Sequence, residues 1–75
     1  MAIRFERTQD LDLVRTILTH PAIYRCIPER ISTPPEAYQP PPTNDYYLIV
    51  ENHKLRGISI LSEYEDYRLN VLFPR

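Results

Sequence analysis

The residues of this chain that could carry chemistry are few and dispersed. The only cysteine, Cys26, sits in Tyr-Arg-Cys-Ile-Pro, and the two histidines, His20 and His53, lie far from each other. A nucleophilic cysteine needs cations nearby to favour its thiolate. A flanking arginine could supply one, but a lone cysteine at an apolar helix end reads first as a small buried hydrophobe. One cysteine and two histidines cannot fill a four-ligand zinc site, and one cysteine cannot close an internal disulfide. His20, directly before Pro21, reads as a helix-end cap, and His53 as an exposed turn residue. No Ser, His and Asp fall into a recognised nucleophile motif. No catalytic, cofactor-binding or metal-binding residue is assigned, and no cofactor is expected.

Glu63, Tyr64, Glu65, Asp66 and Tyr67 form an acidic, aromatic stretch. Paired carboxylates can serve acid–base chemistry. Crowded onto one predicted turn, they read instead as a solvated face or as a binding patch for a basic partner. Six tyrosines in 75 residues is a high density, and tyrosine is enriched at interface hot spots. Tyr46, Tyr47, Tyr64 and Tyr67 all fall in the C-terminal part, where some should pack and some be presented. Eight of the nine basic residues are arginines, which can grip phosphates bidentately. Arg4, Arg7 and Arg15 read as polar faces of their elements, engaged in salt bridges. The candidate partner-binding residues are Tyr46, Tyr64, Glu65, Asp66, Tyr67, Leu69, Val71 and Phe73.

Composition bounds the remaining options. A chain of 75 residues makes one small domain, which buries only about 60% of the surface its unfolded form exposes. Disulfide and metal staples are missing, so self-association enters as a means of stabilisation. A net charge of −1 argues against a general nucleic-acid binder. A single glycine leaves no glycine-rich phosphate loop. Early charges interrupt the N-terminus, and no segment approaches the roughly 20 apolar residues of a membrane span. A cytoplasmic protein without membrane contact is expected.

The elements that must position these residues divide the chain into three parts: a strand plus helix over 1–27, a proline-rich connector over 28–44 and a three-stranded meander over 45–75. Residues 2–7 alternate apolar and charged, which predicts a strand with Ile3 and Phe5 toward the core and Arg4 and Glu6 outward. Thr8 is the predicted N-cap of an amphipathic helix of about three turns carrying Leu11, Val14, Ile17 and Leu18. Pro21 ends it or opens a second short helix over 22–26. Seven of the eight prolines lie between Pro21 and Pro42. The connector therefore reads as a stiff, partly polyproline crossover, with Ile31 and Tyr38 as packing anchors. Tyr46 to Glu51 predicts a strand, Asn52-His53-Lys54 a turn, and Leu55 to Leu61 the return strand. Gly57 marks a bulge or a close backbone approach. Ser62 to Asp66 predicts a second turn, and Tyr67 to Phe73 a fourth strand ended by Pro74. The expected fold is α+β, β-α-(α)-β-β-β, an antiparallel four-stranded sheet with one face covered by helix.

This pattern resembles the N-terminal half of the GNAT family of N-acetyltransferases. The carrying residues are Ile-Arg-Phe-Glu-Arg-Thr at 3–8 with the following helix, Tyr-Tyr-Leu-Ile-Val-Glu-Asn at 46–52, Leu55-Arg56-Gly57-Ile58-Ser59-Ile60, and Asn70-Val71-Leu72-Phe73-Pro74-Arg75. The His-Pro-Ala-Ile segment and the proline-rich connector look most like the small members encoded by bacteriophages. The family holds the acetyl-CoA pyrophosphate on a glycine-rich loop and helix N-terminus after its central strand. This sequence ends at Arg75, where that loop would begin, so no catalytic or cofactor residue is carried over. The last strand is then expected to be an edge with apolar Leu69, Val71 and Phe73, open to a homodimer or to a partner's sheet. The leading expectation is a non-enzymatic protein-binding module, phage-encoded and inhibiting a host protein or defence complex in the host cytoplasm. The alternative is a minimal or split acetyltransferase completed by a second chain.

Overall fold

The computed structural model describes residues 2–62 and 68–74. The chain runs β1 (Ile3–Thr8), α1 (Leu11–Leu18), α2 (Pro21–Tyr24), two 3-10 turns (Pro28–Ile31 and Pro35–Ala37), β2 (Asp45–Glu51), β3 (Lys54–Leu61) and β4 (Arg68–Leu72). The strands form one antiparallel sheet in sequential order, with β1 and β4 at its edges. The expected α+β class and strand order hold. The predicted turn beyond Ser62 and the start of the last strand at Tyr67 lie outside the described residues.

Local chemistry explains each junction. Asp10, not Thr8, caps α1: its Oδ1 accepts from the Leu13 backbone N–H at 3.2 Å. The strand extends through Thr8, whose hydroxyl oxygen accepts from the Asp10 N–H at 3.2 Å, so Thr8 shapes the turn before the cap. α1 spans eight residues, about two turns and shorter than expected, because the chain bends at Thr19. His20 does cap a helix: its Nδ1 accepts from the Ala22 N–H at 3.1 Å, and Pro21 occupies the first position of α2. The β2–β3 turn places both Asn52 and His53 at positive φ, 51° and 67°, which is the geometry of a type I′ hairpin.

The core lies on one face of the sheet. Val14, Ile17, Leu18, Ile23, Tyr24, Ile27 and Tyr38 pack against Tyr46, Ile58 and Val71, with Leu48, Ile60, Leu69 and Phe73 at the margin. The connector is laid over this core. Arg15 donates from Nε to the Tyr38 carbonyl and from a terminal nitrogen to the Glu36 carbonyl, both at 3.1 Å. Its guanidinium therefore clamps backbone and bridges to no carboxylate among the described residues. The Tyr24 hydroxyl donates to the Thr33 carbonyl, and the Tyr46 hydroxyl to the Pro41 carbonyl at 2.7 Å. Tyr38 is the buried anchor that was expected, whereas Ile31 is 81% exposed. The prolines give two 3-10 turns, tied by such bonds, in place of a continuous polyproline segment.

Candidate functional site

Strand register sorts the side chains onto two faces. The pairs Thr8–Tyr46–Ile60–Leu69 and Glu6–Leu48–Ile58–Val71 run across the helix-covered face. The opposite face carries the rows Phe5–Ile49–Gly57–Leu72 and Arg7–Tyr47–Ser59–Asn70. Ile3 and Phe5 thus point away from the helices, against expectation, and Arg4 and Glu6 share the helix side. The reason is register: Phe5 pairs with Ile49 and Glu6 with Leu48, and it is the Leu48 side of the sheet that packs against the helices. Every β1 residue from Ile3 to Arg7 is exposed, and Arg4 and Glu6 pair with each other at 2.7 Å.

The helix-free face is apolar at one end. Ile3, Phe5 and Leu72 are 55%, 48% and 56% exposed around a buried Ile49. Gly57 stands between Ile49 and Leu72 in the same row, and a shallow depression of about 50 Å³ lies beside Ile3, Ile49 and Leu72. Arg56 borders it because β3 carries one extra residue there: Ile49 pairs with Gly57 but Val50 with Leu55. The Arg56 guanidinium reaches Glu51 at 3.5 Å. At the other end Arg7 meets Asp45 at 3.1 Å, and the Arg68 guanidinium lies over the Tyr47 ring at 5.4 Å. Between the ends, Ser59 is fully buried, and its hydroxyl has no hydrogen-bond partner among the described residues.

The residues chosen from sequence separate accordingly. Tyr46 is 2% exposed and Val71 is buried; both belong to the core and neither is presented to a partner. Their register puts them on the helix-covered face, and Tyr46 spends its hydroxyl on Pro41. Burial pushes the Tyr46 phenol up to about 12, Asn44 partly opposing through a hydrogen bond and Glu29 adding to the rise. Leu69 and Phe73 are half-buried against the core, and Phe73 meets the His20 ring edge-on at 5.1 Å. Tyr64, Glu65, Asp66 and Tyr67 lie outside the described residues. Sequence reasoning missed Ile3, Phe5, Ile49 and Leu72 as a surface. The signal was present in the unbroken Tyr46–Val50 apolar run, which loads both faces of one strand and does not alternate.

A second concavity lies on the helix side of the molecule. The end of α2, the first 3-10 turn and the Pro34-Pro35 step enclose an open groove of about 540 Å³, lined by Tyr24, Arg25, Arg30, Ile31 and prolines. Cys26, beside it in sequence, is exposed and not buried as expected, because Ile23, Tyr24 and Ile27 take the inward positions. Among the described residues no three His, Cys, Asp or Glu side chains converge to hold a metal ion, and no helix is long and apolar enough to cross a membrane. Compared with known proteins, the chain matches no family model, no curated protein and no solved structure.

Proposed function

We propose that this chain is a small non-enzymatic protein-binding module that works through the helix-free face of its sheet. One observation carries the reading: Ile3, Phe5 and Leu72 are about half exposed, side by side around Ile49, on a face that no element of the described chain covers. Apolar side chains gathered in this way favour association: fully burying an exposed one is worth about 1.5–3 kcal/mol, and about half of that remains to be gained at each of these half-exposed positions. The flanking Arg7–Asp45 and Arg56–Glu51 pairs form a polar rim of the kind that gives orientation to a contact. The outer edge of β4, unpaired among the described residues, offers backbone groups to the same partner or to a second copy. The resemblance to small phage acetyltransferase-like proteins extends the proposal to a phage-encoded inhibitor acting on a host protein.

The test is quantitative affinity purification with wild-type protein and with the Ile3→Ser/Phe5→Ser/Leu72→Ser variant, alongside sedimentation of both. These side chains are exposed, so the variant should retain its far-ultraviolet circular dichroism. A partner or a dimer retained by the wild type and lost by the variant is the expected result. Identical partners and identical sedimentation for the two proteins would overturn the proposal.

A further inference from the structure

We propose that the groove between α2 and the connector is a binding site for an acidic peptide segment carrying an apolar side chain next to a carboxylate. Among the described residues, the only charged ones that line the groove are two arginines, Arg25 and Arg30. Neither guanidinium has a carboxylate partner among the described residues. The ion pairs of the described chain engage Arg4, Arg7 and Arg56, and Arg30 donates only to the Ile27 carbonyl, at 3.1 Å. Glu29 and Glu36 are close enough to raise the Tyr24 phenol, whose burial is the larger cause, yet neither lines the groove. Arg25 and Arg30 therefore face solvent with their donors available, and a carboxylate can satisfy a guanidinium with two parallel hydrogen bonds.

The walls suit the apolar half of such a ligand. Three proline rings, the Tyr24 ring and Ile31 provide apolar surface, and Ile31 is 81% exposed with no packing role to explain it. About 540 Å³ lies in the range that accepts a few side chains. The walls are also set before any ligand arrives. Tyr24 is buried and ties its hydroxyl to the Thr33 carbonyl, the Thr33 N–H donates to the Glu29 carbonyl at 2.9 Å, and the prolines have fixed φ. Binding to such a frame orders little that is not already ordered. The site is separate from the helix-free sheet face and stands independently of the function proposed for it.

Fluorescence anisotropy with a labelled octapeptide alternating Glu and Phe tests the assignment, with the matching Gln/Phe peptide as control. Saturable binding is expected, weakened roughly tenfold or more by the Gln control, by Arg25→Gln/Arg30→Gln and by about 0.5 M salt. Because Arg30 supports a local carbonyl, Ile31→Ser serves as a second variant at a fully accessible position; it should weaken binding several-fold with circular dichroism unchanged. The Ile3→Ser/Phe5→Ser/Leu72→Ser variant should bind the peptide as the wild type does, which separates this site from the sheet face. No binding up to about 1 mM peptide, or equal binding of the Gln control, overturns the proposal. So does a groove variant that loses only self-association, which would assign the groove to a second copy of the chain.

Discussion

A Cβ built on Gly57 would lie 2.1 Å from the Val71 carbonyl oxygen and 2.8 Å from the Leu72 Cα. Gly57 pairs with Leu72 across β3 and β4, and the Phe73 N–H donates to the Arg56 carbonyl at 2.7 Å beside it. The obstacle is backbone, which cannot rotate aside as a side chain can. Gly57→Ala should therefore cost at least about 2–3 kcal/mol, a large share of the stability of so small a domain. Urea unfolding followed by circular dichroism checks this; a change under about 0.5 kcal/mol would show that β4 does not pair so closely.

Tyr46→Phe keeps the ring in the core and removes the hydroxyl that reaches the Pro41 carbonyl at 2.7 Å. The expected loss is about 1–1.5 kcal/mol, the net worth of one partly buried hydrogen bond. Because this bond holds the end of the connector, limited proteolysis between Pro40 and Asn44 should accelerate in the variant.

Stability should fall at alkaline pH. Burial raises the phenol of Tyr46 to about 12, and burial chiefly, with Glu29 next, raises that of Tyr38 as well. Between the ordinary value of 10 and about 12, the unfolded chain has released protons that the folded chain still holds. The unfolded state then binds fewer protons, so unfolding becomes easier as pH rises, approaching about 1.4 kcal/mol per pH unit for each such tyrosine. Absorbance titration at the phenolate band, native against denatured, reads the delayed ionisation directly.

His53→Gly should stabilise the protein. His53 holds φ at 67° in the β2–β3 turn, where a side chain is strained and glycine is not. After the entropic cost of glycine, the net gain should be about 0.5–1 kcal/mol, read as a rise of a few degrees in Tm. Asn52 tolerates its own positive φ better, so Asn52→Gly should give less.

Ser59→Ala removes a fully buried hydroxyl that lacks a partner among the described residues. The substitution should be neutral or stabilising by up to about 1 kcal/mol in thermal unfolding. A loss above 1 kcal/mol would reveal a hydrogen bond formed by this hydroxyl.

Much of the fold was legible because it rests on local chemistry. The hairpin of Tyr46–Glu51 and Leu55–Leu61, the special role of Gly57 and the capping by His20 follow from residue types within a few positions of one another. The candidate surface was not legible in the same way. Ile3 and Phe5 alternate with charges as an inward-facing pair should, and only the register of β1 against β2 leaves them outside. Tyr46 looked presentable because sequence cannot tell which face of its strand the helices cover.

The sequence alone determined four strands, a helix after the first of them, a proline-rich connector before the other three and the absence of a glycine-rich phosphate loop within these residues. Periodicity, turn preference and proline geometry act over a few residues and need no knowledge of the rest. Tertiary structure decided which half of each alternating pattern is inside, because that depends on where a separate layer lands on the sheet. It also gathered Arg25 and Arg30 against prolines from another segment, a juxtaposition set by the path of the connector across the core.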